Sequence, residues 1–141
     1  MINKLFIKTT IMSPYNEQTK ALILNTINQL INQGGSDNFA IFNLDEDYYI
    51  QIAANIGKLE MYCEAVGNNF LDSMNSLNPK QWEKILALGW KTPYESGNYH
   101  LTHLIDTPTE RATLAELICI TAHQIYGVSS IREKDLELNL G

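Results

Sequence analysis

The chain has no run of apolar residues approaching the ~20 that a membrane-spanning helix requires. Its start, Met1-Ile2-Asn3-Lys4-Leu5-Phe6-Ile7-Lys8, sets a Lys on either side of only three apolar residues and lacks the hydrophobic region of a signal peptide. Cationic residues are scarce: 10 Lys and Arg stand against 16 Asp and Glu, a net charge of −6. That balance disfavours sequence-independent binding to nucleic acid, whose affinity comes from Lys and Arg neutralising phosphates. Only Cys63 and Cys119 occur, in no Cys-x-x-Cys motif and beside no His at metal-ligand spacing, so both are expected as small apolar core residues in a reducing compartment. Gly-x-Gly-x-x-Gly, the Walker loop and Gly-x-Ser-x-Gly are all missing, as are internal repeats, low-complexity segments and linkers. The absences point to a cytoplasmic protein with no cofactor, no membrane contact and no nucleic-acid partner.

What is present makes one domain. With 141 residues, 45% of them hydrophobic, the chain can bury roughly 70% of the surface it exposes when unfolded. Residues 1–12 read as an N-terminal extension, 13–127 as the domain and 128–141 as a C-terminal tail. Ser13-Pro14 supplies a cap and first-turn proline for a helix carrying Ile23, Leu24, Ile27, Leu30 and Ile31, closed by Gly34-Gly35. A three-strand antiparallel meander follows. Phe39 to Leu44 ends in the acidic turn Asp45-Glu46-Asp47. Tyr48 to Asn55 alternates Tyr48, Ile50, Ile52 and Ala54 against Tyr49, Gln51 and Ala53. Beyond Ile56-Gly57-Lys58, Leu59 to Val66 alternates Leu59, Met61, Cys63 and Ala65 against Glu60, Tyr62, Glu64 and Val66.

Gly67-Asn68-Asn69 breaks the third strand, and Phe70-Leu71 starts a short turn or helix. Asn78-Pro79-Lys80-Gln81 is a capping box for a helix expected to carry Trp82, Ile85 and Leu86 inward. It stops at Gly89, where a left-handed cap needs no Cβ, and Trp90 folds back as a packing anchor. After the loop Pro93 to Gly97, a fourth strand runs from Asn98 to Ile105 with Tyr99, Leu101, His103 and Ile105 on one side. Thr107-Pro108-Thr109-Glu110 caps a helix that runs to Gly127. In the tail, Leu136, Leu138 and Leu140 alternate with Glu137 and Asn139, giving either an added edge strand or a docked tail. The expected order is α-β-β-β-α-β-α, an α+β fold with a small antiparallel sheet packed against helices.

Candidate chemistry is thin. His100 and His103, three apart on a strand, point to opposite faces and cannot chelate one ion, so a solvated His100 and a half-buried His103 are expected. The Asp45-Glu46-Asp47 turn lacks the glycine and later bidentate Glu of a calcium loop. Glu60 and Glu64 share a face with Tyr62, and Gln51 sits across from it. A hydrolase built on Glu60, Glu64 or His100 would need those groups to converge in a concave pocket. An exposed sheet face is the expectation, with no catalytic and no metal-binding residue.

The pieces Phe39-Ala40-Ile41-Phe42, Tyr48-Tyr49-Ile50-Gln51, Leu59 with Glu64 and Gly67-Asn68, Leu88-Gly89-Trp90, Pro93 and Asn98-Tyr99 resemble, in that order and spacing, the TY-Chap domains. These are related to bacterial type III secretion chaperones and YbjN-like proteins. The resemblance covers about Ala21 to Gly127 and implies an α+β sandwich that binds peptide segments or partner proteins without catalysis. It carries over no catalytic residue. Tyr49, Gln51, Tyr62 and Glu64 are the candidate partner-binding positions, with Gly89 and Trp90 as the structural anchor. Related secretion chaperones dimerise, which implies a homodimer formed through the remaining edge strand and the apolar tail. A small acidic domain also suits an alternative, an immunity or antitoxin protein steered toward a basic toxin.

Overall fold

In the computed structural model, which describes residues 17–33, 35–45, 47–54, 59–94 and 97–141, the first helix, α1, covers Glu17–Gln33. Ile23, Ile27, Leu30 and Ile31 recur every three or four positions, and all four are buried. Burying each contributes about 1.5–3 kcal/mol. The expected extension 1–12, the Ser13-Pro14 cap, Gly34, Glu46 of the acidic turn, the Ile56-Gly57-Lys58 turn, and Glu95 and Ser96 of the Pro93 to Gly97 loop lie outside the described residues.

Strands β1 (Phe39–Asn43), β2 (Tyr49–Ala53) and β3 (Glu60–Ala65) form the expected antiparallel meander. Ala40, Phe42, Ile50, Ile52, Met61 and Cys63 alternate into the core with no exposed surface. Two residues depart from the expected alternation. Leu59 precedes β3 and is exposed. Val66 follows β3, where its N–H donates to the Tyr49 carbonyl at 3.1 Å as the chain turns inward, so it is buried rather than on the outer face.

Helix α2 (Pro79–Ala87) has both halves of its capping box: Asn78 Oδ1 accepts from the Gln81 N–H, and Gln81 Oε1 accepts from the Asn78 N–H. Of its residues only Ile85 is buried, whereas Trp82 and Leu86, expected inward, are 42% and 43% exposed. A nine-residue helix meets the core along one line, and the Trp82 indole N–H donates back to the Leu77 carbonyl, which holds the ring over the entry to the helix. The helix ends as expected. Gly89 takes φ +110°, its N–H donates to Leu86 O, and the Trp90 N–H donates to Ile85 O, a paired closure of the last turn.

Strand β4 (Tyr99–Leu104) pairs antiparallel with β3, and α3 (Pro108–Gln124) follows from a complete Thr107/Glu110 capping box. Past Gly127 (φ +75°) and a 3₁₀ turn at Glu133–Asp135, the tail forms β5 (Leu136–Asn139), antiparallel to β1. The sheet order is β4-β3-β2-β1-β5, with α1 and α3 packed together and against one face. This is the α+β architecture expected from the sequence, completed by a fifth strand. Cys63 and Cys119 are free and buried, and burial pushes the Cys119 thiol up to about 12 and that of Cys63 higher still. No helix among the described residues is long and apolar enough to cross a membrane.

Candidate functional site

Side chains that alternate away from the core build the second face of the sheet. Register puts Gln51 opposite Glu64 and Glu64 opposite His100. In the next row Phe39, Ala53, Tyr62 and Thr102 follow one another across β1 to β4. A groove of about 460 Å³ opens over these rows, lined by Phe39, Gln51, Ala53, Glu60, Tyr62 and Thr102 among others. Its apolar and aromatic surface is flanked by amide, hydroxyl and carboxylate groups, a mixture suited to an extended chain with alternating side chains. The Tyr62 phenol is raised above its ordinary pKa by burial first and then by the charge of Glu64 and a hydrogen bond to it, so it remains a neutral hydroxyl near neutral pH.

One end of the face is fixed by Asn98. This buried side chain accepts from the Gly67 N–H at 3.0 Å and donates to Tyr49 Oη and to Glu64 Oε1, both at 3.0 Å. Tyr49 and Glu64 are therefore drawn into a hydrogen-bonded brace between β2, β3 and the start of β4. Pro93 and Tyr99 pack on Gly67, where an added Cβ would lie 3.5–3.6 Å from their rings. Four separate sequence features, Tyr49, Glu64, Gly67 and Asn98-Tyr99, thus meet at one place.

His100 lies on this outer face yet is buried, contrary to the expected solvated position. Tyr94 covers it, with ring centroids 4.3 Å apart and planes 14° from parallel, and the Tyr62 ring lies 6.4 Å away. The aromatic loop supplies the cover that strand alternation would leave open. His103 is half-buried, as expected, with Nδ1 2.7 Å from the Leu104 carbonyl oxygen. Glu60 pairs with Leu104 at the far end of β3, away from the Glu64–His100 pair, so the three groups of the hydrolase reading do not converge. No group of three or more His, Cys, Asp or Glu side chains among the described residues is arranged to hold a metal.

The model of TY-Chap3, described as "T3SS (YopN, CesT) and YbjN peptide-binding chaperone 3", matches residues 27–134, more than half of the chain. The chain belongs to the TY-Chap3 family. No curated protein and no solved structure matches it. The TY-Chap3 match begins within α1 and extends past α3 to the 3₁₀ turn that leads into β5, and so spans the meander, the anchor and the brace.

Of the four candidate partner-binding residues, Gln51 and Tyr62 line the groove, while Tyr49 and Glu64 belong to the Asn98 brace. Gly89 ends α2 in the left-handed region, and Trp90 follows it. Trp90 is buried and its indole N–H donates to Thr121 Oγ1 at 2.9 Å, joining the exit of α2 to α3. Glu60, Phe39 and Thr102 complete the groove, although the sequence reading gave them no binding role. Period-2 alternation marks each as outward-facing, but only the cross-strand register brings them together.

Proposed function

We propose that this TY-Chap3 protein is a non-enzymatic, chaperone-like module that captures an extended segment of another protein on the open face of its sheet. The observation that carries this reading is the groove over Gln51, Ala53 and Tyr62, which crosses strands β1 to β4 and is mixed in polarity, in a family described as peptide-binding. Gln51 supplies amide donors and acceptors, Tyr62 a neutral phenol and a ring, and the brace keeps both strands in place beneath a ligand. Tyr49 and Glu64 act through that brace rather than by direct contact. The family description favours peptide capture over the immunity alternative. A cytoplasmic location, a homodimer formed through the sheet edge and tail, and a binding unit at 13–127 complemented by strand β5 belong to the same proposal.

A display library of random linear peptides screened on the full chain tests it. Enrichment of extended peptides is expected, with binding to Tyr62→Ala weakened about tenfold, the loss of roughly one aromatic contact. If no peptide is enriched, the reading falls. A toxin gene beside this one would then favour immunity.

A further inference from the structure

The outer edge of β4 is only partly closed. Lys91 N–H donates to His100 O at 2.8 Å and His100 N–H donates to Lys91 O at 3.3 Å, an isolated antiparallel bridge outside the sheet proper. Backbone groups alternate sides along a strand, so Thr102 and Leu104 present theirs in the same outward direction as His100. Leu101 and His103 instead face β3, as does Ile105, whose N–H donates to Leu59 O at 2.8 Å. Lys91 fills the first outward slot. The chain cannot fill the next ones, because Trp90 and Gly89 turn away into α2 through the left-handed Gly89. Among the described residues, no backbone group pairs with Thr102 on that side.

A second groove, of about 410 Å³, runs beside this edge between β4 and the helices. Leu88, Leu101 and Leu117 give it an apolar lining, and its charged or titratable groups are Lys91 and His103, with no carboxylate. In a chain of net charge −6, that local sign is the reverse of the whole. A residue paired with His103 would share its face and enter this groove. One paired with Thr102 would share the outer face, next to Lys91 along the same line.

We infer that the Thr102–Leu104 edge accepts an extended peptide as a sixth, antiparallel strand in line with Lys91, selecting an apolar residue opposite His103 and an acidic one opposite Thr102. Main-chain hydrogen bonds supply affinity without sequence preference, and the Leu-lined groove and Lys91 supply the choice. The inference rests on the peptide-capture reading above and adds the place, direction and chemistry of the ligand.

The test uses the full chain and fluorescent nine-residue peptides of a Thr-rich sequence with central Leu-Glu, Leu-Lys or Asp-Glu, read by anisotropy and by amide exchange. The Leu-Glu peptide is expected to bind at least tenfold more tightly than the other two and to slow exchange at Thr102 and Leu104. Thr102→Pro, which removes an outward N–H and spares the β3 ladder, should abolish that binding while leaving the fold intact. Exchange in the unsubstituted chain gives the same answer should the Pro variant fold poorly. Equal binding of all three peptides, or Leu-Glu binding that leaves both amides unprotected, overturns the inference while peptide capture stands. Failure of all three overturns it too, and peptide capture is then judged on the display screen alone. Protection of these amides in the free chain that rises with protein concentration assigns the edge to a second copy, which also overturns it.

Discussion

The indole N–H of Trp90 donates to the Thr121 hydroxyl at 2.9 Å, and that hydroxyl donates in turn to the Leu117 carbonyl at 2.8 Å. The exit of α2 is thereby fastened to the C-terminal half of α3 through the fully buried Thr121. Thr121→Val leaves the indole N–H without an acceptor and should cost about 1–3 kcal/mol, whereas Trp90→Phe removes the donor and leaves a small cavity at a similar cost. The double variant should lose less than the sum, because the second change removes the group that the first had orphaned. Urea denaturation of the four proteins measures the difference.

Gly89→Ala tests the helix stop without a steric clash. Nothing lies within 4 Å of an added Cβ, so only the left-handed φ of +110° resists the substitution. A loss of about 1–2 kcal/mol is expected from backbone strain alone. A loss within error would mean that this turn adopts another conformation.

The Asn98 brace predicts a pH-dependent defect. Asn98→Ala orphans the Gly67 N–H and should cost about 1–3 kcal/mol. Asn98→Asp also loses the two donated bonds and places a second carboxylate against Glu64, so its stability relative to the parent should improve as acidification neutralises the pair. Thermal melts of both variants at neutral and mildly acidic pH distinguish a brace from a simple filler.

Much of the framework was legible because its signals are local. Both capping boxes and both glycine stops depend on residues three or four apart, and the alternation of Ala40, Phe42, Ile50 and Ile52 on a few neighbours. Burial across distance was not legible. Trp82 and Trp90 look equally fit for the core, yet one is held over a helix entry by Leu77 and the other is locked by Thr121. His100 is outward by periodicity and buried by a loop aromatic. Tyr49 and Glu64 looked like surface contacts because the residue that binds both, Asn98, arrives from the far side of α2.

Alkaline pH should weaken the fold. The Cys63, Cys119 and Tyr126 groups are all raised by burial, so the folded state keeps its protons at pH values where the unfolded chain has lost them. The stabilisation is complete below about pH 9, the ordinary thiol value, and declines as pH climbs toward about 12 for Cys119. Each group contributes a slope of up to roughly 1.4 kcal/mol per pH unit in its window. Cys119→Ala should flatten the decline between pH 9 and 11, and a steeper decline would contradict the assignment.

Strand β5 pairs with β1 across a long reach of sequence, and Asn43 and Glu137, bonded through their side chains, are 94 residues apart. While the chain emerges from the ribosome, β1 can pair with β2 early but keeps its other edge bare until residues 136–139 appear. The growing protein thus carries a temporary sticky strand through most of its synthesis, and a chain cut short before Leu136 would keep it for good.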